Sequence, residues 1–581
     1  SRQNHTGASS QRSCHDRMAG VFMIDTLIQV VGAADARLEM SPVDYALLFV
    51  YFIFVLGIGI VVRRSVKSSL DFFLSGRSIP AWIAGLAFIS ANLGAVEILG
   101  FAANGAQYGF ASVHYYWIGA IPAMVFLGIV MMPFYYGSKI RSVPEYLRRR
   151  YNKPTHLVNA GSFAVSSVLI AGVNLYSLAI VLVALLGWSL PIAIVAAALL
   201  VLLYVVAGGL TGAIYNEVLQ FFVIIAGLIP LTIVAVAAAG GPQEVLHRLA
   251  DYPSYWLHPW SGTSVGGDNP IGDWIGIILG QAFILSFGYW TTNFAEVQRA
   301  LSARNLSSAR RAPIIGAFPK IFIPFIVILP GIVAALIIPE LGTSSDPQMT
   351  YTNAIPLLMD TLLPNGMLGV AVTGLVAAFM AGMAANVSSF NAVFTYDIWQ
   401  TYVKKNRPDH YYLKFGRWIT VIGVAIGIGT AFIAASYNNI NDYLQTLFSF
   451  FQAPVFVTFI LGMFWKRMSP WAGFYGMVSG IVAAAGVWVA GASHPDMFRS
   501  PFQQAMWMGI AAAVVDLIVS LIVTPLTKPR PLSDLVGLVK GMEIRDAAAD
   551  AKPVRWYKQP VVLGGGAITL ALAMYIPFTF L

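Results

Sequence analysis

The chain has 581 residues, of which 57% are hydrophobic and 10% are charged, and its formal net charge is +9. Soluble globular domains carry about 25% charged residues, so this composition excludes an ordinary soluble enzyme and indicates an all-α polytopic membrane protein. The lysines and arginines lie in short loops between apolar runs, which is typical of orientation in a lipid bilayer, and we expect no nucleic-acid partner. The single cysteine, Cys14, excludes an intrachain disulfide, and the sequence holds no Cys/His cluster with metal-ligand spacing.

The chain begins with a polar stretch, and we expect residues 1–40 to be a disordered extension or sequence ahead of the true start. From residue 43 onward, fourteen apolar segments are long enough to cross a hydrocarbon layer about 30 Å thick. We predict spans at 43–62, 80–104, 113–136, 156–186, 188–207, 211–239, 272–294, 313–338, 365–396, 414–437, 441–465, 470–492, 503–527 and 557–580.

The basic residues alternate between the loops. They cluster after spans 1, 3, 7, 9, 11 and 13, whereas the loops after spans 2, 4, 8 and 10 contain no lysine or arginine. Because basic loops stay on the cytoplasmic side, this alternation predicts a multi-pass protein of the plasma membrane with both termini outside.

Two spans are interrupted by glycine and polar residues. The interrupting residues are Ser90, Asn92, Gly94 and Glu97 in span 2, and Ser286, Gly288, Thr291, Thr292 and Asn293 in span 7. Each span opens a run of five, and the two runs start from opposite faces. This predicts inverted repeats at 80–239 and 272–465, flanked by a peripheral first helix at 43–62 and peripheral helices at 470–581. Interrupted helices at matching positions of two inverted halves indicate a transporter binding site near mid-membrane, although small residues also serve close helix packing.

Four polar or charged side chains lie within predicted spans and have alternative interpretations. Glu97, in the middle of span 2, should face a cavity, pair with a cation or be protonated. Glu217 either lies on an ion pathway or is hydrated near the cytoplasmic face. Lys320 is either a pocket cation or snorkels to the interface, and Gln445 either binds solute or is an interfacial residue.

Tyr116 belongs to an aromatic cluster, 114–117, at the start of span 3, and an interfacial belt is the simplest explanation of that cluster, including His114. We find no enzyme-like arrangement of nucleophile, base and orienting group, so we expect a protein that is not an enzyme and needs no cofactor. The partner expected from these residues is a small polar solute.

Several ordered motifs carry a resemblance to a known family. They include SANLGAVEILG (90–100), RSVPEYLRRRYN (141–152), AGGLTGAIYNEVLQ (207–220) and YWTTNFAEVQRALSA (289–303). Together with FPKIFIPFIVILPGI (318–332) and FILGMFWKR (459–467), they resemble the sodium/solute symporter family, particularly its sodium/galactose branch. The resemblance implies a LeuT-like core of five plus five inverted-repeat helices, about 14 transmembrane helices in all, and transport by alternating access.

The resemblance also implies residues for the ion. Backbone carbonyls of the family's sodium site correspond to Ser90, Leu93 and Ala378, and the acidic residue that relays the ion corresponds to Glu217. The family's two serine hydroxyls fall on Ala381 and Gly382, which have no hydroxyl group. Sodium coupling is therefore expected with a weakened site, and a proton-coupled carrier that uses Glu97 or Glu217 is the alternative.

For the solute, the family's contact residues correspond to Asn92, Tyr289, Lys320 and Gln445. Other family positions are changed here and fall on Glu97, Tyr116, Gly119 and Ser286. A sugar or polyol fits this set, and so does a cationic or zwitterionic solute paired with Glu97. The sequence thus predicts a cation-coupled symporter of a small polar organic solute, with a non-transporting solute sensor as an alternative of a different class.

Overall fold

The computed structural model describes residues 40–63, 67–344, 346, 349–542 and 555–580. The predicted extension at 1–40, including Cys14, therefore lies outside the described residues except for Met40. Within the described part, the chain is helical, and its only β-type pairing is an isolated bridge between Ile79 and Ala303.

Each of the fourteen predicted spans coincides with helix. The first seven lie at Pro42–Arg63, Ala81–Asn92 with Val96–Val113, Tyr115–Gly137, Lys153–Leu186, Leu190–Ala238 for spans 5 and 6, and Gly276–Ser286 with Phe287–Thr292. The others lie at Leu306–Ile337, Met367–Val403, Asp409–Ala434, Ile440–Phe451 with Ala453–Phe464, Pro470–Ser493, Pro501–Leu526 and Pro560–Ala573. Shorter helices outside these spans are Ser69–Leu74, Val143–Arg150, Pro242–Leu249, Phe294–Leu301 and Ala354–Leu362.

Within the described ranges, eleven helices are individually long and apolar enough to cross a membrane, and one bent pair raises the number to twelve. Spans 5 and 6 are continuous in hydrogen bonding but kink at Gly209, which has a φ of 55°. Large apolar side chains such as Phe49, Leu203 and Trp418 are more than half exposed on the outer surface. Such a surface is unfavourable in water and suits the hydrocarbon of a bilayer.

The loops that carry the basic residues contact one another at one end of the bundle. These contacts join Ile79 to Ala303, Arg141 to Gln400, Arg150 to the Gly462 carbonyl and Arg530 to the Arg149 carbonyl. The opposite end brings together the remaining loops through Asn439 with Gln107, Thr352 with Asn438, Arg248 with Leu336 and Arg499 with Asn269. Alternate loops therefore meet at opposite ends of the bundle, in agreement with the predicted alternation of the loops.

Span 2 is broken where the glycine pattern predicted. Helix Ala81–Asn92 ends at Leu93, whose ψ of 41° is not helical, and the chain resumes as helix from Val96 at an angle of 54°. Span 7 breaks at the last of its predicted interrupting residues, Asn293, and not at Gly288. Gly288 lies inside helix Phe287–Thr292, and the interruption occurs at Asn293, with φ −69° and ψ 112°. Gly288 serves packing instead, because a Cβ there would lie 3.0 Å from the Gln452 carbonyl oxygen.

A close crossing fixes the second half of span 2 against helix Leu306–Ile337. A side chain at Gly331 would overlap the carbonyl of Ala102, and a side chain at Gly105 would overlap the carbonyl of Ile328. The two backbones touch because both positions lack Cβ, which is the small-residue packing common between membrane helices.

Gly331→Val should therefore destabilise the protein by about 1–3 kcal/mol or more, since an overpacked backbone contact cannot relax without moving a helix. We expect a lower melting temperature in detergent than for the wild type. Gly429→Val is the matched control, because Gly429 is also in a helix and has nothing within 4 Å of its Cβ position. Equal melting temperatures for the two variants would contradict this account of the crossing.

Candidate solute and ion site

Lys320 lies in the centre of the protein and is completely buried. Its ammonium group donates to Glu97 Oε1 at 2.6 Å and to Asn92 Oδ1. The ammonium also lies 4.7 Å from the ring centroid of Trp290 and 5.2 Å from that of Tyr116, which adds two cation–π contacts. The snorkelling interpretation of Lys320 is therefore wrong, and the cation partner that Glu97 required is Lys320.

Neighbouring hydrogen bonds hold the Lys320 segment in place. Its helix, Leu306–Ile337, contains four prolines and is fixed to helix Tyr115–Gly137 by a bond from Trp117 Nε1 to the Ile321 carbonyl, 3.0 Å long.

The expected interfacial position of His114 is also wrong. Its ring is 1% exposed and bonds to Tyr575 Oη at 2.7 Å and to the Pro259 carbonyl at 3.0 Å.

Direct hydrogen bonds connect the two broken spans, and Lys320 is bonded to the first of them. Asn92 Nδ2 donates to Tyr289 Oη at 3.0 Å, and Tyr289 Oη donates to Glu296 Oε1 at 2.9 Å. Glu97, Lys320, Asn92, Tyr289 and Glu296 thus form one buried series, which we call the central chain. The central chain runs from just beyond the first break, at Leu93, to just beyond the second break, at Asn293.

Glu296 was not among the predicted site residues. It follows Asn293 in a segment assigned to a cytoplasmic loop, yet it is only 2% exposed. Asn293 Oδ1 accepts from the Ala295 N–H at 3.0 Å and so caps the short helix Phe294–Leu301 that carries Glu296. The sequence signal was a capping asparagine three residues before a glutamate, but only the break in the span places that glutamate inside the protein.

The remaining predicted solute residues lie near the central chain but are not hydrogen-bonded to it. Ser286 Oγ donates to the Gln281 carbonyl of its own helix, and Gly119 leaves room for that hydroxyl. Gln445 is buried, donates to Asn441 Oδ1 at 3.3 Å, and its Oε1 has no hydrogen-bond partner among the described residues. The interfacial interpretation of Gln445 is therefore wrong, and its free amide oxygen is available to a ligand.

Glu217 is also buried, contrary to the alternative of a hydrated residue near the interface. Its carboxylate receives two hydrogen bonds from Arg299, one from Nε to Oε2 at 3.2 Å and one from Nη2 to Oε1. Both side chains are at most 1% exposed. Arg299 lies on the same short helix as Glu296, so this ion pair connects the short helix that follows span 7 to helix Leu190–Ala238. The sequence analysis had counted Arg299 only as a loop charge.

The positions expected to bind the ion are buried around the first break. Ser90, Leu93, Ala378 and Ala381 are fully buried, and Gly382 faces the break with no side chain. The Asn174 side chain, which the sequence analysis did not select, lies between Gly382 and Gly94. Its Oδ1 accepts from the Ala95 N–H at 3.0 Å. An oxygen is thus present where the two expected hydroxyls are missing.

Lys320→Met should cost about 3–5 kcal/mol of stability, because it leaves the Glu97 carboxylate buried without its counter-charge. The double variant Glu97→Gln with Lys320→Met should recover most of that loss, since both charges are then removed. Melting temperatures of the two single variants and the double variant in detergent form the test cycle. Additive losses in the double variant would mean that the two charges do not stabilise each other.

Comparisons with known proteins agree with this architecture. The sodium:solute symporter family model matches residues 72–480. Sodium/glucose cotransporter 4 of Danio rerio is 29% identical over 476 residues, covering 77% of this chain and 72% of the relative. The sodium/glucose cotransporter of Vibrio parahaemolyticus is 28% identical over 468 residues, covering 76% and 84%. Human sodium/myo-inositol cotransporter 2 is 29% identical over 470 residues, covering 76% and 69%.

Solved structures show the same fold. A substrate-bound, outward-open Na⁺-coupled sialic acid symporter superposes with a TM-score of 0.69 at 21% identity, covering 84% of this chain and 99% of that one. A nucleobase-cation-symport-1 family transporter in a closed conformation gives a TM-score of 0.50 at 14% identity, covering 80% and 97%. The predicted inverted-repeat fold is thereby confirmed. The chain belongs to the sodium:solute symporter family, and it is a multi-pass membrane symporter coupled to sodium, not an enzyme.

Proposed function

We propose that this symporter carries a small neutral polyhydroxyl solute, a sugar or a polyol, together with sodium across the plasma membrane. The observation that carries the proposal is the central chain, which joins both helix breaks and contains a buried, internally neutralised ion pair at one end. The related sodium/glucose and sodium/myo-inositol cotransporters support the same class of solute.

The charge balance of the site favours a neutral solute. Lys320 already holds Glu97 at 2.6 Å, so the pair presents no net charge to a ligand. A cationic solute would have to displace a buried lysine from Glu97, and would leave that lysine without its counter-charge. A zwitterion would have to separate the pair in order to bind both groups. A neutral solute exchanges hydrogen bonds with the pair and leaves its charges matched.

The polar groups of the central chain suit hydroxyl groups. A hydroxyl both donates and accepts, and the site offers acceptors on Glu97 and Asn92 and donors on Lys320, Asn92 and Tyr289. Gln445 adds an amide oxygen that has no partner within the described residues. The faces of Tyr116 and Trp290 supply the apolar surface that a sugar ring or cyclitol presents on its C–H side.

Transport by alternating access follows from the position of the central chain between the repeats. Tyr289 bonds on one side to Asn92 of the first broken span and on the other to Glu296 beyond the second break. The Glu217–Arg299 pair holds the same short helix to its neighbour. In the proposed cycle, solute replaces hydrogen bonds within the central chain, and the short helix Phe294–Leu301 then moves to open the pathway to the basic-loop side.

For the ion, the proposal assigns the backbone carbonyls of Ser90, Leu93 and Ala378 as ligands, with Glu217 on the exit path. The break supports this assignment, because interrupted transmembrane helices offer carbonyl oxygens that have lost their helical partners. The alternative of proton coupling rests on a desolvated carboxylate at Glu97 or Glu217. Each carboxylate has a buried cation as partner, Lys320 and Arg299, which favours its charged form and speaks against that alternative.

Purified protein in proteoliposomes tests the proposal. An inward sodium gradient should drive accumulation of a labelled hexose or of myo-inositol, and a choline gradient should not. Amino acids and carboxylates should neither accumulate nor compete. Uptake that follows a proton gradient and ignores sodium would favour the proton-coupled alternative, and solute binding without counterflow would favour a sensor.

Tyr289→Phe should lower the initial rate of sodium-driven uptake by about tenfold or more. The Tyr289 hydroxyl bonds to both Asn92 and Glu296, and an unmet buried hydrogen bond costs about 1–3 kcal/mol. Tyr475→Phe is the control, because Tyr475 is about half exposed on the outer surface. A Tyr289→Phe rate within twofold of that control would remove Tyr289 from the proposed mechanism.

A further inference from the structure

Two glycines, Gly94 and Gly382, leave a space between helices beside the first helix break. A Cβ placed on Gly94 would lie 3.2 Å from the Cα of Gly382 on helix Met367–Ala392 and 2.5 Å from Oδ1 of Asn174. A Cβ on Gly382 would overlap the same carboxamide. Two glycines on different helices thus leave a space that is filled by one side chain from a third helix.

The orientation of the Asn174 carboxamide is fixed by two hydrogen bonds. Its Nδ2 donates to the Ile170 carbonyl of its own helix, Lys153–Leu186, at 3.1 Å. Its Oδ1 accepts from the Ala95 N–H at 3.0 Å. Because the amide nitrogen points back to its own helix, the oxygen faces the break. A carbonyl oxygen has two lone pairs, and the Ala95 N–H uses only one of them.

Among the residues that the structure describes, no basic side chain donates a hydrogen bond to this oxygen, and the adjacent break offers further oxygens. The chain leaves helical geometry at Leu93, which frees backbone carbonyls of the preceding turn. Ser90 lies one turn before Gly94 and is 0% exposed, and its Oγ has no hydrogen-bond partner among the residues that the structure describes. A buried hydroxyl without a partner is costly in a membrane interior, so it points to a ligand.

We infer that Asn174 Oδ1 is a direct ligand of the coupling sodium ion, together with Ser90 and the carbonyls freed at the break. The inference rests on the proposed function, because it gives a further ligand to the ion that the proposal places at this break. Sodium is a hard cation and takes oxygen ligands, and the amide oxygen supplies one where Ala381 and Gly382 have no hydroxyl group.

The geometry also explains why residue 382 carries no hydroxyl-bearing side chain. A serine at 382 would occupy the space that Asn174 already fills. Asparagine at 174 and glycine at 382 are therefore a matched pair, and the ligand oxygen is delivered from helix Lys153–Leu186 instead of from helix Met367–Ala392. The pairing predicts that a serine at 382 is tolerated once residue 174 is small.

Full-length protein is compared as wild type, Asn174→Ala, and the double variant Asn174→Ala with Gly382→Ser. Sodium-driven uptake is measured against sodium concentration, and the melting temperature in detergent is measured in sodium and in choline chloride. Asn174→Ala should raise the sodium concentration for half-maximal uptake at least tenfold and abolish the sodium-dependent rise in melting temperature. The double variant should return to within about threefold of the wild type. Ser177→Ala is the control, because Ser177 lies one turn away and its hydroxyl donates to the Val173 carbonyl of its own helix.

The outcomes separate this inference from the proposed function. Loss of the sodium-dependent rise in melting temperature in Asn174→Ala supports the ligand role of Asn174. That support holds even if uptake proves independent of sodium, a result that would overturn the proposed function but not this inference. A half-maximal sodium concentration within twofold of the wild type in Asn174→Ala would show that Asn174 only caps the break, and would overturn the inference. If Asn174→Ala does not fold, Asn174→Asp replaces it. That variant keeps the oxygen and adds charge, so the half-maximal concentration should fall several-fold, and an unchanged value would overturn the inference.

Discussion

A helix that breaks inside a bilayer leaves backbone N–H and C=O groups without partners, and hydrocarbon supplies none. Much of the structure around the site responds to this constraint at the two breaks. Asn174 reaches from a neighbouring helix to cap the Ala95 N–H after the first break, and Asn293 caps Ala295 after the second. The carbonyls before the first break remain available, and in the proposed function they bind the ion that the protein transports.

The buried charges around the two breaks occur in pairs of opposite sign. Glu97 pairs with Lys320 and Glu217 with Arg299, each across different helices and each almost fully buried. A lone charge at this depth would be expensive, whereas a hydrogen-bonded pair is tolerated and fixes the relative positions of the helices that carry it. Glu296 and Arg299 lie on the same short helix, Phe294–Leu301, which therefore connects the central chain to the Glu217–Arg299 pair. In the proposed function, a few hydrogen bonds thus link solute binding, the ion path and movement of this helix.

The sequence was sufficient for the architecture because its signals are strong and local. Each signal depends on a short stretch of chain: the long apolar runs, the alternating basic loops and Gly94. All three correspond to features of the structure. The motif order was also sufficient for the family. Gly288 does not mark the second break, because a glycine that permits close packing against Gln452 has the same sequence signature as one that permits a break.

What the sequence did not provide was the pairing of distant side chains. Lys320 and Glu97 are 223 residues apart, and Arg299 and Glu217 are 82 apart, so neither spacing predicts contact. Asn174 and Glu296 escaped selection for a related reason. Each becomes part of the site only through another helix, Asn174 through the glycine at 382 and Glu296 through the break that turns an apparent loop inward.

An experimental structure with sodium and a bound hexose or myo-inositol would test the central claim most directly. The account predicts solute density in contact with Lys320, Asn92 and Tyr289, and ion density beside the break at Leu93. Solute bound elsewhere, with the hydrogen bonds from Glu97 to Glu296 intact and no ion near the break, would contradict it.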